Sequence, residues 1–252
     1  MTPAPAAAHH SSPCASRSGH AGRRACLLSL GLLLAAAAAA SQSLQTLAVD
    51  FVRRSDSTGE VVRGSLYFQA PDRVLIRVSE PALQWSEFSG RNLLIYYPEE
   101  GRAFRFISRN RLLIPFARSF LGFLRPDFGL ADAGFSLQQN RKRGDLLVTV
   151  WKPPRALRAT IGEALVGTDR GGPVFLQLSD PQGRMLSRTE YAEPRSVGRL
   201  SFPGRILVWQ RTGEEETREE SYYTNHQVNA PLPTEVTGFR LPEDVPVQEV
   251  QW

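Results

Sequence analysis

Val61 to Ile107 reads V-V-R-G-S-L-Y-F-Q (Val61 to Gln69), A-P-D-R-V-L-I-R-V-S-E-P (Ala70 to Pro81), Q-W-S-E-F-S-G-R-N-L-L-I-Y-Y-P (Gln84 to Pro98) and G-R-A-F-R-F-I (Gly101 to Ile107). Most of these runs alternate apolar and polar residues, and Pro71, Pro81, Gly90 and Pro98 punctuate them at short intervals, the pattern of an antiparallel meander. The face carrying Val74, Ile76 and Val78 is almost free of polar side chains. It has to meet a core, a lid or an apolar ligand.

Outward from that stretch, the N-terminal forty residues differ in kind. They hold Arg17, Arg23 and Arg24 and no acid, so a chain with 30 basic and 25 acidic residues keeps 27 against 25 after Ala40. The formal charge of +5 therefore belongs largely to this leader, and no electrostatic footprint for nucleic acid remains. Arg23 and Arg24 precede an apolar stretch from Ala25 through Ala40, followed by Ser41, Gln42 and Ser43. This is the order of a cleaved export signal, with cutting near Ala40, and the stretch is shorter than the roughly 20 residues that span a bilayer. The expected organisation is a signal peptide over 1–40 and one domain over 41–252.

Cys14 and Cys26, like His9, His10 and His20, lie in the leader. The remainder has no cysteine for a disulfide, nucleophile or metal site, and one histidine, His226, whose expected role is solvated or capping. With no G-x-S-x-G elbow either, the sequence argues against an enzyme and calls for no cofactor or metal.

Leu44, Leu47, Ala48, Phe51 and Val52 recur at three and four, which predicts an amphipathic helix ahead of the meander. After it, R-L-L-I-P-F-A-R-S-F-L-G-F-L-R-P (Arg111 to Pro126) predicts a second helix with Leu113, Phe116, Phe120, Phe123 and Leu124 on one face. Hairpins are expected around Arg143 and Gly144, across Asp180 to Gly183, and around Gly213. Leu157 to Val166 is ambiguous, and Thr168 to Pro173 reads as a glycine-rich loop. The total is about ten strands, enough to curl into a barrel or half-barrel.

The order of helix, G-x-L-x-F-x-x-P-D-R (Gly64 to Arg73), E-P (Glu80 and Pro81), G-x-N-L-L-x-Y-x-P (Gly90 to Pro98) and N-x-P-L-P-x-x-x-x-x-F-R-L-P-E-D-V-P-V (Asn229 to Val247) resembles the outer-membrane lipoprotein carrier family, LolA and its relatives. The resemblance implies a mainly β fold with some α: an unclosed antiparallel β-barrel, one curved sheet covered by lid helices over a hydrophobic cavity for acyl chains. It implies a periplasmic monomer that takes acylated lipoproteins from an inner-membrane lipoprotein-releasing transporter to an outer-membrane acceptor. The cavity residues would be Leu66, Phe68, Val74, Ile76, Val78, Leu94 and Tyr96, and the lid residues Leu113, Phe116, Phe120, Phe123 and Leu124. Carriers of this family often place a lid-tethering arginine directly before the proline; here that position is Ala70, so either another arginine takes the role, with Arg73 and Arg77 as unranked candidates, or the lid is held differently. The stretch 153–173 is longer than the family usually shows. A glycolipid or phospholipid carrier and a lipid-sensing module of envelope stress signalling share the same apolar logic.

Overall fold

Leu47, Val49 and Phe51 are nearly inaccessible while Ala48, Asp50 and Val52 between them are partly exposed, and the chain obeys that period of two. Thr46–Ser55 is therefore a strand, β1, and not the expected helix. The spacing of Leu44, Leu47, Ala48, Phe51 and Val52 fits either period. Pairing on both sides decides it, because Phe51 lies opposite Gly64 on one neighbour and Tyr223 on the other.

The structure is a computed structural model that describes residues 43–89, 92–107, 120, 122, 123, 125 and 127–251. After β1 the meander supplies β2 (Val61–Gln69), β3 (Arg73–Glu80), β4 (Gln84–Ser89), β5 (Asn92–Tyr97) and β6 (Arg102–Ile107). A second series follows: β7 (Ser136–Arg143), β8 (Leu146–Lys152), β9 (Glu163–Asp169), β10 (Gly172–Ser179), β11 (Met185–Val197), β12 (Leu200–Thr212) and β13 (Glu215–Val228). A short helix, α1 (Thr234–Thr237), and β14 (Val247–Gln251) follow, and single 3-10 turns lie at Pro98–Glu100 and Arg155–Leu157. The described residues thus hold fourteen strands where about ten were expected. The ambiguous stretch and the glycine-rich loop contain most of β9 and the start of β10, joined tightly through Arg170 and Gly171.

All fourteen strands form one curved sheet in the order β14-β6-β5-β4-β3-β2-β1-β13-β12-β11-β10-β9-β8-β7. It does not close, since β14 and β7 each pair on one side only; every pairing is antiparallel except β14 with β6. The first strand sits mid-sheet, with one meander running away from it and the other returning to it.

Two connections must cross the sheet. Residues 108–135 lead from β6 to β7 at the opposite edge, and residues 229–246 lead from β13 to β14. Their described residues pack on opposite faces. Phe120 and Phe123 of the first pack with Leu47, Leu66, Ile76, Phe202 and Tyr223, while Leu130 and Phe135 pack farther along on Ala164 and Val166. Val236 and Phe239 of the second pack on Tyr67 and Leu75.

Candidate functional site

The face beneath Phe120 and Phe123 is built by register. Leu66 lies opposite Val49 and Ile76, and Phe68 opposite Leu47 and Val74, so the inward residues of β1, β2 and β3 form one apolar ladder. Leu66, Val74 and Ile76 are buried in it, with Phe68 and Val78 half-buried at its margin. Phe120 and Phe123 lie in the same cluster, Phe120 with no exposed surface. Leu113, Phe116 and Leu124 lie outside the described residues.

Leu94 and Tyr96 do not belong to this face. Leu94 is in register with Glu87 and, through it, Leu75; Tyr96 is in register with Trp85. Both pack under the second crossover, where Trp85 stacks on Phe239 at 5.1 Å. The neighbours Leu93 and Ile95 are in register with Phe88 and Ser86, opposite Val74 and Ile76. One step of strand parity separates the expected pair from the pair in register with Val74 and Ile76.

Several residues of the covered face come from the second meander, which the sequence reading left out. Phe202, Ile206, Tyr191 and Tyr223 complete the cluster. Phe120 is gripped by aromatic rings, 4.6 Å from Tyr223 and parallel to Phe202 at 6.4 Å, and Phe123 lies 5.4 Å from Tyr191. Their signal was available in the burial-compatible spacing of Phe202 and Ile206, and in the aromatic content of Tyr191 and Tyr223.

The described residues of this face pack into one buried cluster. The space beside the cover is a groove of about 100 Å³ lined by Phe123, Tyr191, Ala192, Pro194 and Pro203, with Asp169 and Val174 at its side. For scale, an apolar cavity of ~150 Å³ holds one benzene. Phe120 and Phe123 are part of the buried cluster on this face.

Two buried polar atoms here have no hydrogen-bond partner: the Tyr191 hydroxyl and His226 Nε2. Burial pushes the Tyr191 phenol well above its ordinary pKa, with Tyr223 adding to the effect. His226 is half-buried, 5.6 Å from Phe202 and 6.5 Å from Phe120, which corrects the solvated reading. Burial pulls its imidazole below the usual range; Arg195 assists, and a hydrogen bond to the Pro203 backbone opposes.

The opposite face is different in character. A larger groove of about 260 Å³ there is lined by Asp50, Arg63, Ser65, Arg77 and Ser79, and Asp50 accepts hydrogen bonds from Ser65 at 2.6 Å and Asn225 at 2.9 Å. Arg73 is also on that face, its Nε 2.7 Å from Glu87 and its guanidinium donating to the Val236 and Phe239 carbonyls at 3.2 and 3.4 Å. Arg77 lies over Trp85 at 5.7 Å. Neither candidate arginine tethers Phe120 or Phe123; Arg73 tethers the other crossover. No group of three or more His, Cys, Asp or Glu among the described residues could share a metal ion.

No protein-family model matches the sequence, and no curated protein matches it. Solved structures match it in fold. A domain named for outer-membrane lipoprotein sorting, from Vibrio parahaemolyticus, is similar with a TM-score of 0.57 at 12% identity, over 77% of this chain and 89% of that one. A LolA superfamily protein from Nitrosomonas europaea gives 0.53 at 16%, over 80% and 91%. A DUF1329 family protein from Desulfovibrio piger gives 0.52 at 15%, over 77% and 90%. The chain has a LolA-like fold.

Proposed function

We propose that this protein is a periplasmic carrier that binds the acyl chains of lipoproteins on the covered face and shuttles them from the inner to the outer membrane. The observation that carries the reading is the plug: two phenylalanines from outside the sheet pack on an apolar face of a LolA-like sheet. An acyl chain crossing water exposes methylenes at about 0.8 kcal/mol each, so a long chain needs a protein surface in place of the bilayer. Phe120 and Phe123 keep that surface covered when no chain is present, and they yield to one.

The plug also supports release. Chains leave more readily when protein side chains refill their place than when an empty apolar cavity would remain. The export signal over 1–40, with cleavage near Ala40, delivers the domain of residues 41–252 to the periplasm as a monomer. Its partners would be the acylated lipoprotein, an inner-membrane releasing transporter and an outer-membrane acceptor. The reading is of a binding protein and not an enzyme, and of no nucleic-acid partner.

Mass spectrometry of lipids and proteins that co-purify from the periplasm, together with uptake of a purified triacylated lipoprotein, tests this. One-to-one uptake is expected. Co-purification of a glycolipid or phospholipid with no lipoprotein uptake would change the cargo, and absence of any lipid with no uptake would end the carrier reading.

A further inference from the structure

The groove beside Phe123 is apolar on nearly every side, yet it is lined by a tyrosine whose hydroxyl is buried and satisfied by nothing. A phenylalanine would fill the space of the Tyr191 ring equally well, and buried hydroxyls are normally hydrogen-bonded. The ring is firmly placed: Phe123 and Phe128 each lie 5.4 Å from it. Phe128 holds its position at a φ of +52°, followed by Gly129 at +73°. A bulky residue rarely adopts that left-handed conformation, and it persists only where surrounding contacts hold it. The Asp127 carboxylate does so, accepting hydrogen bonds from the Gly129 and Ala131 amides at 3.0 and 3.1 Å.

The hydroxyl itself is closed off from the groove while Phe123 is in place, and we propose that Tyr191 is the polar anchor of the site, donating its hydroxyl hydrogen, once the rings over it have yielded, to the carbonyl oxygen at the head of an acyl chain. This rests on the reading of the covered face as an acyl-chain site and names what that site recognises. Burial keeps the phenol protonated, so it is a donor throughout the physiological range. The acceptor should be uncharged. Asp169, whose carboxylate already accepts from the Gly171 and Gly172 amides at 2.7 and 3.1 Å, places a negative charge at the groove and repels a carboxylate or phosphate. The chemical class is therefore a neutral acyl ester or amide, in preference to a free fatty acid anion or a bare hydrocarbon.

The test uses the purified protein and displacement of a fluorescent apolar probe by methyl palmitate, octadecane or palmitate. Methyl palmitate is expected to bind about five-fold more tightly than octadecane and more tightly than palmitate. Tyr191→Phe should bring methyl palmitate to the octadecane value while leaving octadecane unchanged, with circular dichroism confirming an intact sheet. A carbonyl-labelled ester should show an infrared band at lower frequency in the wild type than in Tyr191→Phe. An ester preference that survives in Tyr191→Phe, or no preference in the wild type, overturns the anchor while leaving the acyl-chain site standing. Failure of both the ester and the hydrocarbon to bind removes that site, and the anchor with it.

Discussion

Replacing Phe120 with alanine separates a plug from an ordinary core residue, because the two roles give opposite signs for ligand affinity. Phe120 has no exposed surface and contacts the rings of Tyr223 and Phe202. Truncating a phenylalanine so placed costs about 3–5 kcal/mol in the closed, empty protein. If a bound chain displaces Phe120 into water, the loaded protein does not lose that amount. At the low end of the range, about 3 kcal/mol, loading would tighten about a hundred-fold. The assay is a titration with a fluorescent acyl probe beside urea unfolding with and without ligand. The expected result is an empty protein that unfolds at lower urea, binds more tightly, and recovers stability on loading. A lowered midpoint with unchanged or weakened affinity would show that Phe120 is core in both states, and the plug argument would fail.

Chain length should matter with a threshold. Exposing Phe120 and Phe123 costs about 3–6 kcal/mol in total, which about four to eight methylenes offset at 0.8 kcal/mol each; esters shorter than that should bind barely, and a flat length dependence would refute the displacement. His226 should make the fold acid-sensitive: its folded pKa is depressed by burial, so its contribution is complete above the unfolded value of about 6.5 and is lost as pH falls below that toward the folded value. Thermal unfolding across that window should show the decline, and His226→Phe should flatten it. Arg73→Ala should lower stability by about 1–3 kcal/mol through loss of its charge-assisted hydrogen bonds. It should also hasten proteolysis within 229–246 while leaving acyl binding unchanged, since Arg73 lies on the other face.

The meander from β2 to β6 was legible because its turns and alternation are local, and the fold class followed from it. What escaped was non-local. The apolar residues of β1 fit a helix as well as a strand, and only partners as distant as Gly64 and Tyr223 choose between them. In β5 the run Leu93, Leu94, Ile95, Tyr96, Tyr97 offers no alternation. Parity is not readable there, and Leu94 and Tyr96 lie on the face opposite Phe120 and Phe123. Leu66, Phe68, Val74, Ile76 and Val78 come from strands whose alternation is clear, and they share the face with Phe120 and Phe123.

The central place of β1 has a consequence for how the molecule assembles. Each meander can zip up from neighbouring hairpins, but the seam between β1 and β13 joins residues such as Asp50 and Asn225, 175 positions apart along the chain. Closing so long a loop is entropically unfavourable and slow. The seam is therefore expected to form last, and until it does Leu47, Val49 and Phe51 present an unpaired apolar strand to whatever lies nearby, a hazard that a folding helper in the same compartment would have to manage.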